Sequence, residues 1–224
     1  MRQLLLPMRI WDLPTRLFHW ILVLLVFTSW LSTELNWMRV HVLSGLTVLS
    51  LLLFRLIWGF IGSDTARFSH FVKSPAAATR HLMHLARREP DIEAGHNAAG
   101  GWMVLVFLTL LSVQAGTGLC ANDDVLTEGP LARIVGKARS DWLTHIHNVN
   151  FTLIEIAVAL HVLTIITYRL LKGHDLLSPM LTGKKRLPGA TRAPRMMHPV
   201  LALAVFVFCA VAVVVFSRLV GYSL

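Results

Sequence analysis

Residues 144–171 read THIHNVNFTLIEIAVALHVLTIITYRLL, an apolar run long enough to cross a bilayer that carries His147 and His161 fourteen residues apart. In an α-helix that spacing advances the axis by about 21 Å and returns to within about 40° of the same face. Both imidazoles therefore address one neighbouring space at two depths, as a ladder for two cofactors would require. Ionisable groups inside a membrane are costly and mark function by default, so this run organises the reading of the rest.

Of the 224 residues 55% are hydrophobic, and the mean hydropathy is positive. A hydrocarbon core of about 30 Å needs roughly 20 apolar residues per helix. Five runs are of that order: 17–33, 40–61, 99–119, 147–171 and 199–221. No strand-like alternation competes with them. The net charge of +9 is spread over loops between the runs, which is how bilayer orientation is encoded rather than how nucleic acid is bound. Lys and Arg number three in 1–16, five in 62–98 and seven in 169–197. The opposite loops hold Arg39, Arg133, Lys137 and Arg139, with Arg218 near the last helix end. The N-terminus is thus expected in the cytoplasm and the C-terminus on the external side of the membrane. A cleaved signal peptide is the other reading of residues 1–30, but no small-residue cleavage site follows, and Trp20, Trp30 and Trp37 bracket the run as interfacial anchors do. Cys120 and Cys209 are the two cysteines, and no CxxCH or paired CxxC occurs, so covalent c-type haem and cysteine-held iron–sulfur or zinc sites are not expected.

In the stretch RIWDLPTRLFHW, Asp12 suits a cap, Pro14 a first turn, and Arg9 and Arg16 the inner interface. His19, one turn beyond Arg16, falls in the inner half of the membrane. The second run passes back inward, so His41 near its start is outer. Fourteen residues further on the same face stands Arg55, which needs an anionic partner at that depth; a haem propionate and a lipid phosphate both answer. Residues 74–89 read SPAAATRHLMHLARRE, an interfacial amphipathic helix begun by Ser74 and Pro75. There His81 and His84, with Arg80, Arg87 and Arg88, form a solvated basic face in preference to a metal site. The third run opens on GHNAAGGW and closes on QAGTGLC, with glycines for close helix packing or a planar ring; Gln114 suits a hydrogen bond to a propionate or a quinone. His145 points away from the face of His147 and reads as interfacial, and His70, His174 and His198 belong to loops or helix ends. Residues 172–195 form a basic, Gly/Pro-rich linker, and the fifth run has no histidine in its core.

Alternating direction gives each histidine a depth. His19 and His161 share the inner half, His41 and His147 the outer half. Two imidazoles per iron make a six-coordinate electron-transfer haem with no open position for oxygen. Isolated polar residues satisfied by carbonyls are the rival reading, and the matched depth pairs weigh against it. The depths agree only if the fourth helix tilts or extends, because His19 lies about 4–5 Å along the axis from Arg16 and His161 about 12 Å from Arg169.

At WDLPTRLFHW, His41 with Gly45, FRLIWGFIG, GHNAAGGW, QAGTGLCANDD with EGPLA, and the pair His147 and His161, the sequence resembles the bacterial diheme cytochrome b561 family. That family includes the b-type cytochrome subunits of nickel–iron hydrogenases and their relatives in formate dehydrogenase. The resemblance spans about residues 8–185. It implies a four-helix transmembrane bundle with two haem b groups, exchanging electrons between quinone or quinol and a c-type cytochrome or redox-enzyme subunit. It assigns His19 and His161 to the inner haem iron, His41 and His147 to the outer one, and a quinone pocket to Asn97, His96 and Gly100. The fold class expected is all-α and integral to the membrane: the bundle over 8–185, then a basic linker and an additional helix over 186–224. Two other functions stay open, a quinone-reducing superoxide oxidase, for which Arg133, Lys137 and Arg139 supply a basic outer surface, and a haem-free anchor or transporter.

Overall fold

A computed structural model of the chain describes residues 5–83, 92–125 and 127–222. His84, Arg87 and Arg88 lie outside them. The elements in order are strand β1 (Leu5–Arg9), helices α1 (Leu13–Glu34), α2 (Met38–Ile61), α3 (Phe68–Phe71), α4 (Pro75–Met83), α5 (Ala98–Gly118), α6 (Ala132–Val135), α7 (Lys137–Thr167) and α8 (Leu177–Thr182), strand β2 (Lys184–Pro188) and helix α9 (Pro199–Leu219). Five helices, α1, α2, α5, α7 and α9, are long and apolar enough to cross a membrane. The chain is an all-α integral membrane protein with one small sheet.

The fourth apolar run is longer as a helix than its hydropathy suggests. It begins at Lys137, and a π turn over Tyr168–Lys172 carries it on to Gly173, whose left-handed φ of 71° stops it. Polar residues at its head, invisible to a hydropathy window, carry side-chain bonds there: Lys137 pairs with Asp141 one turn on, and the Thr144 hydroxyl donates to the Ser140 carbonyl at 2.9 Å.

The chain divides into two compact units. The first comprises Met1–Leu17, Leu56–Val106 and Val158–Leu203. In it β1 pairs antiparallel with β2, Leu5 opposite Pro188 and Arg9 opposite Lys184. β2 lies inside the segment read from sequence as a basic, Gly/Pro-rich linker. Leu187 is fully buried with Ile10 and Trp11, while Lys184 and Arg186, on the other face of β2, are exposed, so the strand is two-faced even within five residues. The linker beyond it is also tied down: Arg195 N–H donates to Asp64 Oδ2 at 2.9 Å and Met197 N–H to Ser63 Oγ at 2.9 Å. Gly183, with φ 80°, turns α8 into β2 and lends its carbonyl to both Ile10 N–H and Trp11 N–H. A Cβ there would stand 2.9 Å from the Trp11 carbonyl. At the head of α8, two amides and the Ser178 hydroxyl converge on Asp175. The Ser178 hydroxyl first, then its amide, hold that carboxyl below the usual carboxylate range.

The polar pivot of this unit is Asp12, which is 3% exposed. Its Oδ1 accepts Thr15 N–H at 2.8 Å, capping α1, and its Oδ2 accepts the indole N–H of the fully buried Trp58 at 3.1 Å. The cap read from sequence is therefore also a tether to α2.

The second unit comprises Phe18–Arg55, Phe107–Ala157 and Ala204–Leu224. Its loop between α5 and α7 is knitted onto the head of α7. Ser140 Oγ donates to the Cys120 carbonyl at 2.6 Å, Asn122 Nδ2 donates to Ser140 Oγ at 2.6 Å, and Asn122 N–H to Thr144 Oγ1 at 3.0 Å. Arg133 pairs with Glu128 at 2.6 Å, and Lys137 pairs with Asp124 and Asp141.

Replacing Asp12 by Ala removes the cap and strands a buried indole N–H, an expected loss of about 2–3 kcal/mol. The thermal midpoint of the purified protein in detergent should fall accordingly, and Asp12→Asn, which can still cap α1, should fall less.

Candidate functional site

The second unit brings His41 of α2 and His147 of α7 together, their ring centroids 6.1 Å apart and their planes at 79°. Each imidazole is gripped on one nitrogen. Nδ1–H of His41 donates to the Ser29 carbonyl at 3.0 Å, with the Thr33 and Ser29 hydroxyls at 2.8 and 3.1 Å. Nδ1–H of His147 donates to the Gln114 carbonyl at 3.0 Å, with the Thr117 hydroxyl at 3.2 Å. A carbonyl only accepts, so both Nδ1 atoms carry a proton, and in the neutral ring that leaves Nε2 as the nitrogen a metal would take. Metal-bound histidines are oriented in this way, by a carbonyl on the far nitrogen that fixes the tautomer and raises ligand basicity.

The separation fits as well. Two imidazole nitrogens, each roughly 2 Å from a shared metal ion, put the ring centroids about 6 Å apart. Among the described residues no group of three or more His, Cys, Asp or Glu converges on a metal site; an iron held in a porphyrin needs only two imidazoles. There is room for a flat ring: a Cβ on Gly45, one turn after His41, meets nothing within 4 Å. Gly118 has the opposite reason to be glycine, because a Cβ there would stand 3.0 Å from Cε1 of His147.

Gln114 stands behind His147. Its carbonyl holds His147, and its side-chain Oε1 accepts Asn150 Nδ2–H at 2.7 Å. Asn150, buried, donates also to the Leu110 carbonyl at 2.9 Å. Sequence reasoning passed over Asn150 and the hydroxyls of Ser29, Thr33 and Thr117. An Asn three residues after a histidine, inside an apolar run, was the one visible signal. Arg55 of α2 is 2% exposed in the same unit.

His19 belongs to the second unit and His161 to the first. The His19 ring meets Trp20 edge-on at 4.8 Å. His161 is half-buried on α7. In the first unit the residues read as a quinone pocket take local roles. Asn97 caps α5, its Oδ1 accepting Gly100 N–H at 2.7 Å, and its Nδ2–H donates to the hydroxyl of Tyr168 at 3.0 Å. His96 packs against Trp11 and Phe71, at 4.6 and 4.8 Å between centroids. His145 is exposed on another face of α7, as its spacing from His147 requires.

Compared with known proteins, residues 10–183 match the family model of prokaryotic cytochrome b561. No curated protein and no solved structure matches the chain.

Gly118→Ala should push on the His147 ring without removing any ligand atom. The expected result is a loss of about tenfold in affinity for haem, measured by titrating haem-free protein with haemin, while Thr117→Val, which leaves the Gln114 carbonyl in place, should lose less.

Proposed function

The chain belongs to the prokaryotic cytochrome b561 family, as a multi-pass membrane cytochrome of electron transfer with b-type haem, and on that premise we propose that it binds two haems and passes electrons between the quinone pool and a redox partner. The observation that carries this reading is the pair of carbonyl-anchored imidazoles, His41 and His147. Bound haem b supplies a one-electron iron couple. The chain would supply the rest: His41 and His147 would hold the outer haem, His19 and His161 the inner one, and Arg55 would offer a cation to a propionate.

Two histidines on one iron leave no position for dioxygen, which favours electron relay over oxygen chemistry. The anchoring carbonyls make Nε2 of each outer ligand a stronger donor, stabilising the oxidised state and setting the potential. The quinone is assigned to the start of α5, at Asn97, His96 and Gly100. The haem-binding body is assigned to residues 8–185, with 186–224 as basic linker and additional helix. The protein is placed in the inner membrane with its N-terminus in the cytoplasm and its C-terminus in the periplasm, on the asymmetry of Lys and Arg between alternate loops. A c-type cytochrome or a redox-enzyme subunit is the proposed partner.

Superoxide oxidation is the less favoured function. Of the three basic residues that would draw the anion, Arg133 and Lys137 are already ion-paired with Glu128, Asp124 and Asp141. A haem-free transporter is disfavoured by membership of a cytochrome family.

Pyridine haemochrome analysis of the purified protein should give about two haems per chain, and His147→Ala and His161→Ala should each remove about one. A wild-type value near zero would refute the proposal.

A further inference from the structure

Within the first unit lies a buried hydroxyl in a hydrogen-bond chain that haem binding does not use. Tyr168 is 2% exposed. Its hydroxyl lies 2.6 Å from Nε2 of His81 on α4 and accepts Nδ2–H of Asn97 at 3.0 Å. The His81 ring runs nearly parallel to that of Tyr168, at 17° between planes. His81 is half-buried, between Arg80 and Leu82, which are both exposed, so its imidazole joins the outer surface of α4 to the interior. Tyr168 also opens the π turn, a helix irregularity frequent at functional sites. Lys172, whose ammonium stands 5.5 Å from the ring centroid, and His174, at 6.3 Å between centroids, also face it.

We propose that His81 and Tyr168 form a proton relay serving a quinone bound at the start of α5. The inference rests on the quinone reading given above. Reducing a quinone to a quinol takes two electrons and two protons. The electrons would be supplied one at a time by bound haem, and the protons by water outside α4. In each transfer protonated His81 gives its Nε2 proton to the Tyr168 oxygen as the Tyr168 hydroxyl proton passes to a quinone oxygen. His81 then regains a proton at the surface, and neither side chain is changed overall. Quinol oxidation runs the same chain outward. Asn97 is a positioning residue here: its carbonyl oxygen is occupied by Gly100 N–H, so its amide is left to donate and hold the tyrosine oxygen in line.

The rival is a purely structural tether between α4, α5 and α7, and pre-steady-state kinetics separates the two. Haem reduction by decylubiquinol is followed in wild type, Tyr168→Phe and His81→Gln, with dithionite as a reductant that needs no proton relay. The relay predicts quinol-driven reduction slowed about a hundredfold in both variants, with haem content and dithionite reduction at wild-type level. Variants that react with quinol at the wild-type rate overturn the relay and leave the quinone reading intact. Loss of haem in both variants makes the trio a tether and also overturns it. A wild-type protein that dithionite reduces but decylubiquinol does not would remove the quinone reading itself, and the relay with it.

Discussion

The pairing of His41 with His147 depends on one bond made twice, an imidazole N–H to a main-chain carbonyl. Ser29 and Gln114 provide those carbonyls to His41 and His147. Inside a membrane a helix normally keeps its carbonyls for its own amides. Lending one to a neighbouring ring is tolerated because a carbonyl oxygen has two lone pairs. The ring is then held in one tautomer and one orientation by a group whose position is set by the helix rather than by a flexible side chain. The Gln114–Asn150 contact locks that helix face against α7 by satisfying two further polar side chains.

The first unit solves a different problem. It carries most of the basic residues and loop chain, and it gains order from buried polar pivots: Asp12 between Thr15 and Trp58, Thr65 Oγ1 donating to the Ile10 carbonyl at 2.6 Å, and Asp64 and Ser63 holding residues 195–197. These bonds join segments distant in sequence, so the loops form a scaffold rather than slack connections. Tyr168 fits this pattern structurally, yet its partner is an imidazole instead of a backbone group.

How much was legible in the sequence follows from the range of each interaction. Five membrane helices and the same-face spacing of His147 and His161 are local patterns, and hydropathy and helical geometry suffice to read them. The depth argument put His41 with His147, which the fold brings together. What escaped was nonlocal or small. β2 is five residues long, contains a proline, and pairs with a strand at the other end of the chain, so no window of sequence shows it. The neutralisation of Arg133 and Lys137 depends on a loop folding back on α7. The meeting of His81 and Tyr168 depends on α4 returning to a helix encoded far downstream.

The β1–β2 pair has a further consequence, for assembly. Arg9 lies opposite Lys184 and Leu5 opposite Pro188, so His19, His41, His147 and His161 all lie between the two strands in sequence. A chain made from its N-terminus exposes β1 first and must leave it unpaired until β2 emerges. The sheet is therefore a clasp that closes late, on a polypeptide in which His19, His41, His147 and His161 have already been synthesised.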